Sequence, residues 1–206
     1  MKLFLLFLLI YCDALSQNYD INSYFNEIVN KNEFNNNVSI NKWDKNIKIY
    51  ICDITEDSLY SNIIDSDVLI LKNELKMIVA ELNGYINNIS IDIVNVKDSS
   101  NFLIYLGSQN WYNSCIPKSI NYTKNNLGLF MVSKSNNVIT KGTMYVDMYR
   151  TKNILEKKHL LREELTQSLG LFNDSWLYPE SIFYQGWSTV TEYSEIDKKI
   201  IKKLYN

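Results

Sequence analysis

The chain has 206 residues, of which 46% are hydrophobic and 13% aromatic, and this excludes an intrinsically disordered protein. The length is sufficient for one domain with a substantial core. The formal net charge of −2 and the pI near 5.5 argue against nucleic acid as an obligate partner.

The first sixteen residues have the layout of a secretory signal peptide. Lys2 precedes an apolar run from Leu3 to Ile10, and Ala14 and Ser16 place small residues three and one positions before a cleavage site. The run is shorter than the roughly 20 apolar residues of a membrane-spanning helix. We therefore expect a mature domain of residues 17–206, secreted or periplasmic, with no membrane span after cleavage.

The cysteines allow two interpretations of covalent chemistry. Cys12 follows the apolar run and could be lipidated, but Tyr11 stands where a small residue is expected before a lipidated cysteine. The mature chain retains Cys52 and Cys115. Because an exported protein favours oxidised pairs, we predict a disulfide between them, contributing about 3–4 kcal/mol, with two buried free thiols as the alternative. Neither belongs to a C-x-x-C motif, which makes a cysteine metal site improbable.

In chain order, hydrophobic periodicity first predicts elements in the N-terminal half. Apolar residues at helical spacing predict a helix at 19–29, and a second stripe predicts a longer helix at 67–83 that packs on a sheet. Alternating or short apolar runs predict three strands, at 47–51, 89–96 and 102–106.

The C-terminal half begins with two further strands, predicted at 129–132 and 143–148 on either side of a polar turn. A helix at 152–171 and a last helix at 194–204 follow. This order predicts an α+β fold, a single domain with a small mixed sheet and helices packed against it.

The segment REELTQSLGLFND lies at the end of the helix predicted at 152–171. Glu163 and Gln167 are four residues apart and share one helix face, as two metal ligands must. Gly170 lets the chain leave the helix sharply, and Asn173 lies three residues further on. A simpler interpretation is also open, in which Glu163 and Glu164 are solvated helix charges and Asn173 is only a turn residue.

This segment resembles the H-E-x-x-H-x-x-G-x-x-H motif of zinc proteases, and in particular the matrixin stretch H-E-x-G-H-x-L-G-L-x-H-S. The resemblance puts Glu163, Gln167 and Asn173 at the three ligand positions. It puts Glu164 at the position of the general base. No histidine is retained, so the helix at 152–171 resembles a degenerate active-site helix.

The resemblance continues to the end of the chain. The segment 180–184 resembles the Met-turn, with Phe183 at the methionine position, and 194–205 resembles the closing helix L-S-x-x-D-x-x-x-I-x-x-L-Y. The whole pattern, including the strand entry at 43–50, is also similar to domain of unknown function 2927, a group of exported and mostly bacterial proteins. Together these resemblances imply a zincin-like, metzincin-like fold.

The donor chemistry limits what this resemblance implies. Zinc prefers imidazole and thiolate ligands, whereas Gln167 and Asn173 offer neutral amide oxygens. We expect no cofactor, and the alternatives are weak binding of zinc or of a hard cation such as calcium. His159, the one histidine, could pair with Glu163 on a metal, but beside Lys158 we expect it to be a surface residue. With one histidine and no G-x-S-x-G motif, no Ser–His triad is available.

The sequence thus favours a secreted, monomeric, zincin-like protein that is a non-catalytic or repurposed relative of metallopeptidases. We expect it to bind a peptide or a cell-envelope component. The alternative is a metal-dependent hydrolase that uses Glu164 as general base, with a cation held by Glu163, Gln167, Asn173 or Asp174.

Overall fold

The computed structural model describes residues 20–30, 39–61 and 65–206. The predicted signal peptide and Cys12 lie outside these ranges. Within them, no helix combines the length and apolar character that crossing a bilayer requires.

The described residues form a mixed sheet of six strands. The strands are β1 (Lys42–Trp43), β2 (Ile47–Ile51), β3 (Ile91–Ile93), β4 (Phe102–Gly107), β5 (Gly128–Ser135) and β6 (Val138–Asp147). Their order is β1-β6-β4-β2-β3, and β5 also pairs with β6. All pairs are parallel except β5 with β6, which are antiparallel. The prediction of a mixed sheet with helices against it is confirmed.

Six α-helices accompany the sheet in the described ranges. They are α1 (Ile21–Asn30), α2 (Asp65–Tyr85), α3 (Gln109–Cys115), α4 (Ile120–Thr123), α5 (Ile154–Gln167) and α6 (Glu195–Tyr205). The sequence predicted all but the short α3 and α4. Helix α5 is shorter than the predicted 152–171. It begins where the Asn153 side chain accepts a hydrogen bond from the Glu156 amide, and it ends three residues before Gly170.

Both faces of the sheet are covered, which explains why its central strand is almost wholly buried. Alternate residues of β4 point to opposite faces: Ile104 belongs to the main core with α1, α2, α5 and α6, whereas Tyr105 belongs to a second, aromatic cluster. Trp111 and Tyr112 of α3 pack against Tyr105 with ring centroids 5.0 and 5.3 Å apart.

The predicted disulfide is wrong, because Cys52 and Cys115 are free thiols. Cys52 is buried at the end of β2 and Cys115 is exposed at the end of α3. The Tyr105 side chain interacts with both sulfurs. A disulfide would instead need the two sulfurs to bond to each other, with their β-carbons about 3.8 Å apart. Burial raises the pKa of Cys52 to about 11, so this thiol stays protonated near neutral pH.

Candidate functional site

Helix α5 forms the floor of a polar cavity of about 360 Å³. Glu163 and Gln167, which the sequence placed on one helix face, both line this cavity, as does Glu164. Four carboxylate side chains and two aromatic rings define what we call the acidic cavity: Glu156, Glu163, Glu164, Asp174, Tyr184 and Trp187. The structure thus brings three of the four predicted site residues to one opening.

His159 is buried, with 5% of its surface exposed, so the expectation of a surface residue is wrong. Its Nδ1 lies 2.7 Å from the carbonyl oxygen of Val190, and its Nε2 lies 3.3 Å from a carboxylate oxygen of Glu163. Burial by itself lowers the pKa of His159. The hydrogen bond and charge of Glu163, the hydrogen bond to Val190 and the charge of Glu156 together outweigh burial, so the pKa is raised above its usual value. Two oxygen acceptors favour the imidazolium form, in which both ring nitrogens donate.

Gln167 is held by the loop that follows the helix. Its Nε2 donates a hydrogen bond of 2.6 Å to Oδ1 of Asp174. Asn173 does not line the acidic cavity, because its backbone amide donates to the Ile28 carbonyl and its side-chain amide donates to the Asp174 carbonyl. Asp174, one residue later, therefore stands where the sequence analysis placed Asn173.

Glu164 lies on the adjacent side of α5, against strand β5. A β-carbon built on Gly128 would be 2.6 Å from the Glu164 Oε1, so only glycine allows the carboxylate to approach the strand this closely. Burial raises the pKa values of Tyr112 and Tyr145, and the negative charge of Glu164 adds to the effect on both. Glu164 is 8% exposed and faces both the acidic cavity and a second cavity beside it.

This second cavity, which we call the β5 groove, has a volume of about 270 Å³. Residues 128–132 of β5 form one wall, and Glu164, Gln167 and Phe172 line the side of α5. Phe130 stacks on Phe172 with ring centroids 5.7 Å apart. The β5 groove is more apolar than the acidic cavity, and the two share Glu164 and Gln167, so they form one continuous depression.

The turn after α5 requires Gly170. Its φ is +121°, and a β-carbon there would lie 2.0 Å from the carbonyl oxygen of Asn41. Backbone thus approaches backbone at a position that no other residue can occupy without a shift. The close approach fixes the direction in which the chain leaves α5 toward Asp174.

A buried polar network supports the segment after this turn. Phe183 is fully buried, and its carbonyl accepts a hydrogen bond of 2.8 Å from the Ser175 amide. Asp197 at the start of α6 accepts from Ser181 and from the Ile182 amide. Burial raises the pKa of Asp197, and these hydrogen bonds oppose the rise. The network connects α6 to the Phe183 segment beneath the site.

The donor set does not fit a zinc ion. Within the described residues, no group of three or more His, Cys, Asp or Glu side chains is arranged to hold a metal. Glu163 is engaged by His159, the Gln167 amide is engaged by Asp174, and Asn173 lies outside the cavity. A tetrahedral zinc site needs convergent imidazole, thiolate or carboxylate ligands, and the three predicted ligand positions supply only one carboxylate and one amide to the cavity.

Sequence reasoning missed several cavity residues. Glu156 lies seven residues before Glu163, so the helical repeat could have placed it on the same face. Tyr184 and Trp187 come from the loop after α5, for which no periodic pattern exists. The exposed Trp187, 71% accessible, had no sequence signal other than its residue type.

Comparisons with known proteins give a family and a weak structural likeness. No curated protein sequence matches the chain. A solved structure described as "Structure of Myroilysin" is 13% identical and has a TM-score of 0.42, with 80% of this chain and 82% of that chain covered. The family described as "Protein of unknown function (DUF2927)" matches residues 18–206. The match spans nearly the whole sequence, and the chain belongs to the DUF2927 family.

Proposed function

We propose that this protein is exported, has a zincin-like fold and binds an extended peptide segment in the β5 groove without cleaving it. A peptide or a peptide-containing component of the cell envelope is the expected partner. The proposal is carried by one observation: the outer edge of β5, which pairs with no described strand, lies beside the α5 cavity. A strand edge offers the main-chain hydrogen bonds that bind extended peptides.

The register of β5 supports this mode of binding. The amide of Asp147 donates to the carbonyl of Leu127. Leu127 and every second residue after it therefore direct their N–H and C=O groups toward β6. Phe130 and Val132 alternate with them and direct their N–H and C=O groups outward. No strand in the described ranges pairs with this outer edge. A ligand strand could form hydrogen bonds with both residues.

The absence of cleavage is inferred from the donor set around α5. The residue pattern from Glu163 to Tyr205 supports descent from a zincin, and the close approach at Gly170 supports a retained turn. Glu163 and Gln167 nevertheless make hydrogen bonds within the protein that imidazole ligands in a zinc site would not make. The chemistry at these positions therefore favours a binding role.

Selection of peptides tests the binding role. Purified protein comprising residues 17–206 is exposed to a displayed library of random nonapeptides, and enriched peptides are synthesised and titrated. N-methylation at alternate peptide positions should abolish binding, and methylation at the intervening positions should not. Val132→Pro removes an outward N–H and should weaken binding at least tenfold with an unchanged melting temperature, since proline is tolerated on a free strand edge. Failure to enrich any peptide over the support alone would contradict the proposal.

The alternative function is a metal-dependent hydrolase with Glu164 as general base. Its support is the buried position of Glu164 between the two cavities. Metal analysis of the purified protein separates the two functions: stoichiometric metal with cleavage of a selected peptide that is lost in Glu164→Gln would establish the hydrolase.

The zincin ancestry has a separate test in engineered ligands. Glu163→His and Gln167→His are combined with either Asn173→His or Asp174→His. Because Asp174 lines the cavity and Asn173 does not, the Asp174→His combination should bind zinc the more tightly, by at least tenfold. If neither combination binds zinc better than the parent, the positions do not converge and the ancestry is wrong.

A further inference from the structure

We infer that the acidic cavity selects the ligand: it accepts a basic side chain, lysine or arginine, of the peptide that lies along β5. This inference rests on the proposed peptide-binding function and names its substrate class. It follows from the shape of the depression, from its charge and from the aromatic rings at its rim.

The shape comes first. The β5 groove and the acidic cavity meet at Glu164 and Gln167, so a peptide paired with β5 passes the mouth of the acidic cavity. The cavity volume of about 360 Å³ exceeds what one long side chain needs. The groove is apolar at Phe130 and Phe172, whereas the cavity is polar. A single ligand therefore meets two chemically different environments along its length.

Charge is the second observation. Four carboxylates line the cavity, and no described residue lining it is a lysine or an arginine. The Glu156 carboxylate accepts from the Lys152 amide, and the Asp174 carboxylate accepts from the Gln167 amide. Both donors are neutral amides, so these two hydrogen bonds orient the carboxylates and do not themselves neutralise them. Even with His159 protonated, the side chains that line the cavity carry a formal net negative charge.

The rim is the third observation. Trp187 is 71% exposed and Tyr184 is half-buried, and both line the cavity. The ammonium of Lys152 lies over the Trp187 ring, 5.9 Å from its centroid. The protein's own lysine thus shows that this ring accepts a cation from the solvent side. A cationic ligand side chain would meet the same ring face on its way to the carboxylates.

Comparison of two proteins in the nonapeptide selection tests this inference. The parent should enrich peptides with lysine or arginine at one fixed position. The double variant Glu156→Gln, Asp174→Asn keeps both hydrogen-bond acceptors and removes two charges, and it should enrich peptides without that preference. The matched control is Glu180→Gln, Glu192→Gln, which removes two exposed carboxylates outside the cavity and should keep the preference.

The affinities of one enriched peptide give the magnitude. Replacement of its basic residue by norleucine should weaken binding to the parent at least tenfold and to the double variant less than threefold. The preference should fall with added salt, because screening weakens charge attraction. Lys152→Ala should strengthen binding of the basic peptide, because it removes the competing cation at Trp187.

The outcomes separate the inference from the proposed function. Enriched peptides without a basic position would overturn the inference and leave the β5 groove as the binding site. A basic preference that persists in the double variant would also overturn it, since the charge would then act elsewhere. Absence of any enriched peptide would contradict the proposed function, and the inference with it.

Discussion

Helix α5 has two faces with different physical constraints. On the face toward α2, Arg162 is 2% exposed and is enclosed by Glu74, Glu81 and the ring of Tyr193. On the face toward the cavity, Glu163 and Gln167 make single hydrogen bonds and border open space. Substitution on the first face removes partners from buried charges, whereas substitution on the second face changes the lining of a cavity.

This difference explains how the fold around α5 can persist while the residues that line the cavity change. The turn at Gly170 and the ion pairs of Arg162 depend on close contacts with distant parts of the chain. In the cavity, Glu163 pairs with His159 and Gln167 with Asp174, which are near neighbours in the sequence. Residues 163 and 167 can therefore change while the helix, its exit turn and the strand beside it are retained.

Loss of Arg162 should have the largest effect on stability. Arg162→Met leaves the buried carboxylate of Glu74 with Lys158 as its remaining basic partner, 3.0 Å away. Breaking a buried ion pair in this way costs about 3–5 kcal/mol, to be measured as the free energy of unfolding in urea. The control is Lys198→Met, whose exposed partner Glu195 lies 2.7 Å away, and it should change nothing measurable. Equal effects of the two substitutions would show that the buried ion pairs of Arg162 contribute no more to stability than the exposed pair of Lys198.

A β-carbon at Gly170 should have the next largest effect. Gly170→Ala combines a positive φ with a clash against the Asn41 carbonyl, and it should cost about 2–4 kcal/mol of unfolding free energy. Gly84→Ala is the matched control: no atom lies within 4 Å of its β-carbon, and its position in α2 favours alanine. The control should be as stable as the parent or more so. A Gly170→Ala protein with parental stability would mean that the turn relaxes freely.

Much of the fold could be predicted from the sequence because it follows local periodicity. Helices α1, α2, α5 and α6 and strands β2 and β4 carry clear apolar stripes or alternation. Helix α3 was missed because seven residues with two buried aromatics produce no stripe. The strand predicted at 89–96 shortens to Ile91–Ile93, because it pairs with only three residues of β2. Strand order and parallel register depend on long-range pairing, which periodicity does not encode.

The candidate site could be predicted only where one helix determines it. The i, i+4 rule placed Glu163 and Gln167 together correctly. Whether Asn173 or Asp174 faces the cavity depends on the turn at Gly170, which the Asn41 carbonyl controls from a distant segment. The burial of His159 could not be predicted either, because the Val190 carbonyl that contacts its ring is 31 residues away.

The cavity face of α5 should show its own, smaller effect in the titration of His159. Burial lowers the pKa of this group, but Glu163, with smaller contributions from Val190 and Glu156, more than offsets burial, so the net pKa lies above the usual 6.5. The raised pKa contributes stability that is fully present below pH 6.5 and is lost as pH rises through the folded-state value.

His159 is the one histidine of the chain, so its ring proton gives a single NMR titration curve in untagged protein. The parent midpoint should lie above 6.5. In Glu163→Gln the charge that contributes most to raising the pKa is gone, so the midpoint should fall below that of the parent. Glu156→Gln should lower it less, because the charge of Glu156 raises this pKa less than Glu163 does, and the exposed Glu192→Gln should leave it unchanged. An unchanged midpoint in Glu163→Gln would mean that the His159 imidazole and the Glu163 carboxylate are not paired.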